Sequence, residues 1–200
     1  MRYNLALQLK NPGGAANAPG MTQGRNDPMG NPKFTPNPYR IEGDTASIQL
    51  GVRRNATIRE AIIDLADLEC VLWFGRWLRS GCKHGRAEYV VCQSPQILLH
   101  RLLLSPPVGM VVDHINRNSL DCRRANMRLC TQAENMQNRP AQRGSVSGVR
   151  NVYWVPEQQV WCVQMKVERR RISLGRFDCL DDAIAMAAEG RRRYMPYAVD

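Results

Sequence analysis

Gly109-Met110-Val111-Val112-Asp113-His114-Ile115-Asn116-Arg117-Asn118 is the stretch around which the chain is organised. An apolar strand delivers an Asp-His pair into a polar loop, which continues through Ser119-Leu120-Asp121-Cys122-Arg123-Arg124-Ala125-Asn126. Neighbours in a regular strand point to opposite faces. The strand is therefore expected to end at Asp113, so that a turn brings both groups together, and Asn116 to Asn118 tolerate turn geometry. Thr131-x-x-Glu134 is a capping box that starts a helix at about Gln132, and Arg139-Pro140 ends it. Asn135 falls in the first turn of that helix, and Asn138, one turn further along the same face, competes with it.

These residue types suit one chemistry. Water attacking a phosphodiester must lose a proton, and histidine titrates in the right range to take it. A carboxylate with an amide oxygen suits a small divalent cation that keeps several of its waters. His114 is thus the candidate general base. Asp113 with Asn135 is the candidate pair of ligands for a divalent cation, Mg²⁺ or Mn²⁺. Asn126 is placed to tie the loop through backbone hydrogen bonds. His100 lies in an apolar run and reads as structural, and His84 reads as a loop residue.

Before this stretch, Thr45–Leu50 and Glu60–Leu65 alternate as partner strands. A short helix capped by Asp64 or Asp67 follows, then Trp73, Phe74 and Trp77, an aromatic cluster dense enough to be core. Residues 86–92 read as a strand. Residues 96–104 read as a strand or a strand running into a short helix, stopped by Ser105-Pro106-Pro107. Residues 1 to about 38 are rich in Gly, Asn and Pro, show no periodicity, and read as a flexible arm.

After the linker 139–147 come three strand-like runs, Val149–Trp154, Val160–Val167 and Arg171–Leu174, and an amphipathic helix over 181–188 with Asp178 as its cap. Trp161, Val163, Met165 and Val167 share the face that packs on the helix. Cys162, Gln164 and Lys166 share the other, where Arg150 and Arg171 join them.

The formal net charge is +10 in 200 residues, nearly all from arginine, whose planar fork suits phosphate. Seven scattered cysteines form no C-x-x-C pair, which argues against a structural zinc site and for reduced thiols. No stretch reads as a signal peptide or a membrane span, so a soluble, cytoplasmic protein is expected.

The run His100-Arg101-Leu102…Pro107-x-Gly109…Val112-Asp113-His114-Ile115-Asn116-x-Asn118…Leu120-Asp121…Arg123-Arg124-x-Asn126-Met127-Arg128…Asn135 resembles the HNH nucleases, in particular their phage and intron homing branch. The resemblance implies a β-hairpin and helix clasping one metal. It implies His114 as base, Asp113 and Asn135 as metal ligands and Asn126 as the brace, with Cys122 and Ala125 departing from the usual asparagine and glutamate. Residues 147–195, through Leu174-Gly175-x-Phe177 and the acidic-Ala helix, resemble the Apetala/ethylene-response-factor DNA-binding domain. That likeness implies double-stranded DNA contacts from Arg150, Lys166 and Arg171. Gln164 on the same face and Arg123 and Arg124 in the loop complete the DNA-facing candidates.

The expected architecture is α+β: a hairpin–helix HNH nuclease domain over 39–138 (core motif 98–138) on a small sheet. A three-stranded antiparallel sheet packed on one helix would follow over 148–195. The expected function is metal-dependent DNA cleavage of homing type, with no membrane and no small-molecule cofactor. The alternative from another class is a non-catalytic DNA-binding regulator with a relic nuclease fold.

Overall fold

The computed structural model describes residues 35–51, 58–80 and 88–199. Most of the expected arm lies outside these residues, as do Cys82, His84 and the first two residues of the strand expected over 86–92.

Strands β1 (Tyr39–Glu42), β2 (Thr45–Gln49) and β3 (Glu60–Asp64) form an antiparallel meander, with β2 paired to β3 as its alternation predicts. A 3₁₀ turn (Leu65–Asp67) leads into helix α1 (Leu68–Phe74). The carboxylates of Asp64 and Asp67 do not cap these elements. They are drawn instead to the distant Arg124: Asp64 accepts from its backbone N–H at 2.7 Å and Asp67 from its guanidinium at 2.7 and 2.9 Å.

Strands β4 (Trp77–Arg79) and β5 (Val90–Cys92) pair next, and Leu98 bridges to Val91 before helix α2 (Leu99–Leu104) begins. The aromatic cluster divides. Trp77 is fully buried and stacks with Phe74 at 6.1 Å, whereas Trp73 is 55% exposed. Helical spacing turns Leu68, Val71 and Leu72 inward, which leaves Trp73 on the outer face.

Strands β6 (Met110–His114) and β7 (Met127–Thr131) form the antiparallel hairpin, with Met110 opposite Thr131, Asp113 opposite Arg128 and His114 opposite Met127. The capping box at Thr131 and Glu134 is present and starts helix α3 (Gln132–Asn135), which tightens into a 3₁₀ turn over Met136–Asn138. One continuous core runs from Ile48, Ile63 and Trp77 to Val112, Cys122 and Met127, so the hairpin is built onto the preceding sheets. The loop between β6 and β7 docks along β3, where Ile62 donates to Leu120 O at 2.9 Å and accepts from Cys122 N–H at 2.7 Å.

The last 50 residues form an antiparallel sheet of order β10-β9-β8 (Val152–Val155, Val160–Val167 and Arg170–Phe177 for β8, β9 and β10), covered by helix α4 (Leu180–Tyr194). Val152, Val163, Ala183 and Ala187 make its own core, with Trp161, Leu174 and Phe177 against them. Trp154 sits opposite Trp161 with ring centroids 4.8 Å apart, which places it on the core face. The cap residue of α4 is Cys179 rather than Asp178, and no side chain caps it; Asp181 and Asp182 in the first turn complement the helix dipole instead. Fold class is thus α+β, in small antiparallel sheets and short helices.

Gly190 decides how closely α4 approaches its sheet. A Cβ there would lie 2.2 Å from Leu174 Cδ1 and 2.7 Å from Met165 Cε. Gly190→Val should therefore lower stability by about 1–3 kcal/mol through overpacking. An unchanged urea midpoint would contradict this packing.

Candidate active site on the β6–β7 hairpin

The strand does not end at Asp113. Hydrogen-bonded pairing continues through His114, so the two side chains leave the strand on opposite faces rather than converging from a turn. The reason lies across the hairpin: Arg128 and Met127 extend β7 far enough to hold both residues in register. Both faces are covered, and Val112, Asp113 and His114 are all buried.

His114 turns toward the sheets that precede it. Its ring meets His100 edge-on at 5.1 Å and Tyr89 at 6.4 Å, and its Nε2 lies 3.8 Å from Cys122 Sγ. Burial pushes His114 below the usual histidine range, against the opposing pull of Asp113 and Asp121. Cys122 is wholly buried; desolvation pushes its thiol up to about 12, so it stays protonated beside the imidazole.

His100, on α2, is 5% exposed, and its Nδ1 has no hydrogen-bond partner. Burial pushes it down to about 3, with His114 and Arg101 adding to the shift. An unfolded chain takes up this proton below pH 6.5 and the folded one only near 3, so the contribution is present above 6.5 and lost as pH falls. The folded state should lose about 2 kcal/mol from this group between pH 6.5 and pH 5. His100→Phe should flatten that part of the stability profile; an equally steep profile would contradict the assignment.

Asp113 turns to the other face, toward α3. Arg128 donates through Nε and Nη2 to Asp113 Oδ2 at 2.9 and 2.8 Å. The asparagine that reaches the carboxylate is Asn138, not Asn135. Its Nδ2 lies 3.1 Å from both Asp113 oxygens and 3.0 and 3.1 Å from the carbonyls of His114 and Ile115. Capping fixes where the helix starts, but the 3₁₀ turn after it rotates Asn138 inward, so Asn138 is buried and Asn135 only half-buried.

Asn126 ties the loop. Its Nδ2 donates to Asp121 O at 2.8 Å, its Oδ1 accepts from Asn116 N–H at 2.9 Å, and its own carbonyl accepts from Ile115 N–H. Asp121, to which sequence reasoning gave no role, is the loop's second anchor. It is 2% exposed and bonded to Asn116 and to both ends of the Arg123 fork, which holds its carboxyl below the usual range.

These donors do not suit a divalent cation as they stand. Arg128 and the Asn138 amide group cover the Asp113 carboxylate, and Asn138 Oδ1 is engaged by Arg117 Nε at 3.2 Å. The four acceptors around Asn138 Nδ2 fix the amide's orientation, so it faces Asp113 as a donor. Among the described residues, no group of three His, Cys, Asp or Glu side chains is arranged to hold a metal.

Several expected DNA contacts are internally engaged. Arg123 forks onto Asp121 and Arg124 onto Asp67. Arg150 is half-buried and donates to the carbonyls of Met136, Gln137 and Arg139, capping the carboxyl end of the α3 turn. Gln164 donates to the Cys162 thiol at 3.3 Å. Lys166 and Arg171 are exposed and directly opposite each other on the outer sheet face. Arg176, opposite Cys162, joins them on that face only because the register of β10 shifts between Ser173 and Gly175; simple alternation from Arg171 would have turned it to the core side.

Among the described residues no helix is long and apolar enough to cross a membrane, and the cysteines are all free thiols. No curated protein and no solved structure matches the chain. Residues 105–137, which run from the end of α2 through the hairpin and its loop into the α3 turn, match the family model described as HNH endonuclease.

Proposed function

We propose that the protein is a DNA endonuclease of homing type that hydrolyses phosphodiester bonds at the β6–β7–α3 unit. The observation that carries this reading is the match of residues 105–137 to the HNH endonuclease model, on a hairpin whose strand β6 carries Asp113 and His114, with Asn138 bonded to Asp113. His114 would accept the proton of the attacking water. Asn126 would hold the loop that fixes the end of β6. Asp113 would serve the phosphate side; HNH nucleases typically use a divalent cation, which would neutralise phosphate charge, and Asp113 could take part only once Arg128 and Asn138 release its carboxylate.

The β8–β10 sheet would be the part that holds DNA, in the manner of the Apetala/ethylene-response-factor domain. Its outer face carries Lys166, Arg171 and Arg176, and a small sheet of this size can enter the major groove. Contacts of this kind would weaken with salt.

A second reading is favoured by two specific observations: the burial of His114 away from Asp113, and the ion pair that covers Asp113. These suit a DNA-binding regulator built on a relic nuclease fold. A labelled duplex incubated with the purified protein in Mg²⁺ or EDTA separates the two on a denaturing gel. Shortened strands in Mg²⁺ alone support the nuclease. Retarded but intact duplex in both supports the regulator.

A further inference from the structure

Two arginines frame the candidate site, and both hold the end of the chain. Arg128, while paired with Asp113, also donates through Nη2 to Tyr197 O, and its guanidinium lies 4.6 Å from the centroid of the Tyr197 ring. Arg117, whose Nε holds the carbonyl and amide oxygens of Asn138, donates through Nη2 to Val199 O. The segment after α4 is thus strapped across the face that presents Asp113. Tyr197 N–H fixes it further by donating to Gln137 Oε1 at 3.1 Å, and a turn closes it through Ala198 N–H to Met195 O at 2.8 Å.

The strap also borders a cleft of about 260 Å³ in which Arg117, Arg139, Arg150 and Arg191 come together with Ala198 and Val199. No acidic side chain lines this cleft among the described residues. The crowding is felt electrostatically: burial and the like charges of Arg191, Arg117 and Arg139 pull Arg150 below its usual value. Arg117 and Arg128 thus each give a guanidinium N–H to a neutral carbonyl oxygen of the strap. Ionised acceptors make such bonds shorter and roughly twice as strong.

We propose that Met195–Val199 is an autoinhibitory strap occupying the seat of a DNA backbone phosphate, with Arg117 and Arg128 the two residues that bind that phosphate once the strap is displaced. The proposal rests on the nuclease reading only in taking duplex DNA as the ligand. It also accounts for the covered state of Asp113: the strap's carbonyl and ring at Tyr197 hold Arg128 where it closes over the carboxylate. The strap has the advantage of being intramolecular and the phosphate that of charge, so the exchange is reversible rather than a lock.

The test is binding of a short labelled duplex, read by fluorescence anisotropy at fixed salt. Tyr197→Ala removes the ring from Arg128 and should tighten binding about three- to fivefold, the factor that a cation–π contact at an accessible site represents. Arg117→Ala should weaken binding and flatten its salt dependence by about one counterion. Unchanged or weaker binding by Tyr197→Ala overturns the proposal, as does failure of the wild type and this variant alike to bind duplex.

A second measurement uses the wild type alone. Amide hydrogen exchange at Tyr197 should accelerate on saturation with duplex, because its acceptor, Gln137 Oε1, lies outside the strap and is lost when the strap lifts. Exchange that stays the same or slows overturns the proposal. Neither readout involves cleavage, so a protein that binds with its strap released but never cuts would overturn the nuclease reading and leave the strap standing.

Discussion

Replacing His114 by alanine is expected to lower DNA cleavage by at least about a hundredfold, the factor supplied by a positioned general base, while duplex binding is largely retained. The side chain is 6% exposed and meets His100, Tyr89 and Cys122, so the substitution also removes packing. A thermal melt run beside the cleavage assay separates loss of the base from loss of the fold. His114 and Asp113 leave β6 on opposite faces, which makes the comparison with Asp113→Asn informative. If Asp113→Asn stopped cleavage and His114→Ala cut at the wild-type rate, water would be activated on the α3 side and the assignment of His114 would fail.

The second large effect concerns stability. Trp77 is fully buried; its indole N–H donates to Val71 O at 2.8 Å and its backbone N–H to Asn37 Oδ1 at 2.7 Å. Asn37 in turn donates to the carbonyls of Trp77 and Gln49, so one side chain at the start of the described residues ties β2 to β4. Trp77→Ala opens a cavity in the core that continues to Val112 and Met127 and leaves the Val71 carbonyl without its donor. The expected cost is about 3–5 kcal/mol, read as a drop in the urea midpoint. A shift below about 1 kcal/mol would mean that this core is not what supports the hairpin.

How far the fold and site could be read from sequence depends on the range of the interactions that fix each part. The alternation of Thr45–Gln49 and Glu60–Asp64, the capping box at Thr131 and the two-faced pattern of Val160–Val167 are local signals, and the structure has elements at each. The arrangement around Asp113 is not local. It depends on hairpin register, and register was within reach: a strand beginning at Met110 opposite the cap residue Thr131 places Arg128 opposite Asp113. What hid it was the assumption that an Asp-His pair must converge.

The choice between Asn135 and Asn138 turns on a change from α to 3₁₀ winding within one turn, which no periodicity of so short a helix could reveal. Long-range pairings were invisible for another reason. Asp64 and Asp67 read as caps by local preference, yet Arg124, nearly sixty residues away, offers charged donors that a helix end cannot match. Arg150 is likewise a DNA-facing candidate through the resemblance of residues 147–195, and in the structure its donors are engaged on the α3 turn.

Cutting of DNA by the β6–β7–α3 unit can be read from supercoiled plasmid. Wild-type protein and His114→Ala are incubated with plasmid in Mg²⁺ and in EDTA, and topology and retardation are followed on parallel gels. The wild type in Mg²⁺ should give relaxed or linear plasmid, and His114→Ala plasmid that is retarded but still supercoiled. Plasmid that the wild type retards and leaves supercoiled in Mg²⁺ would contradict cutting by this unit.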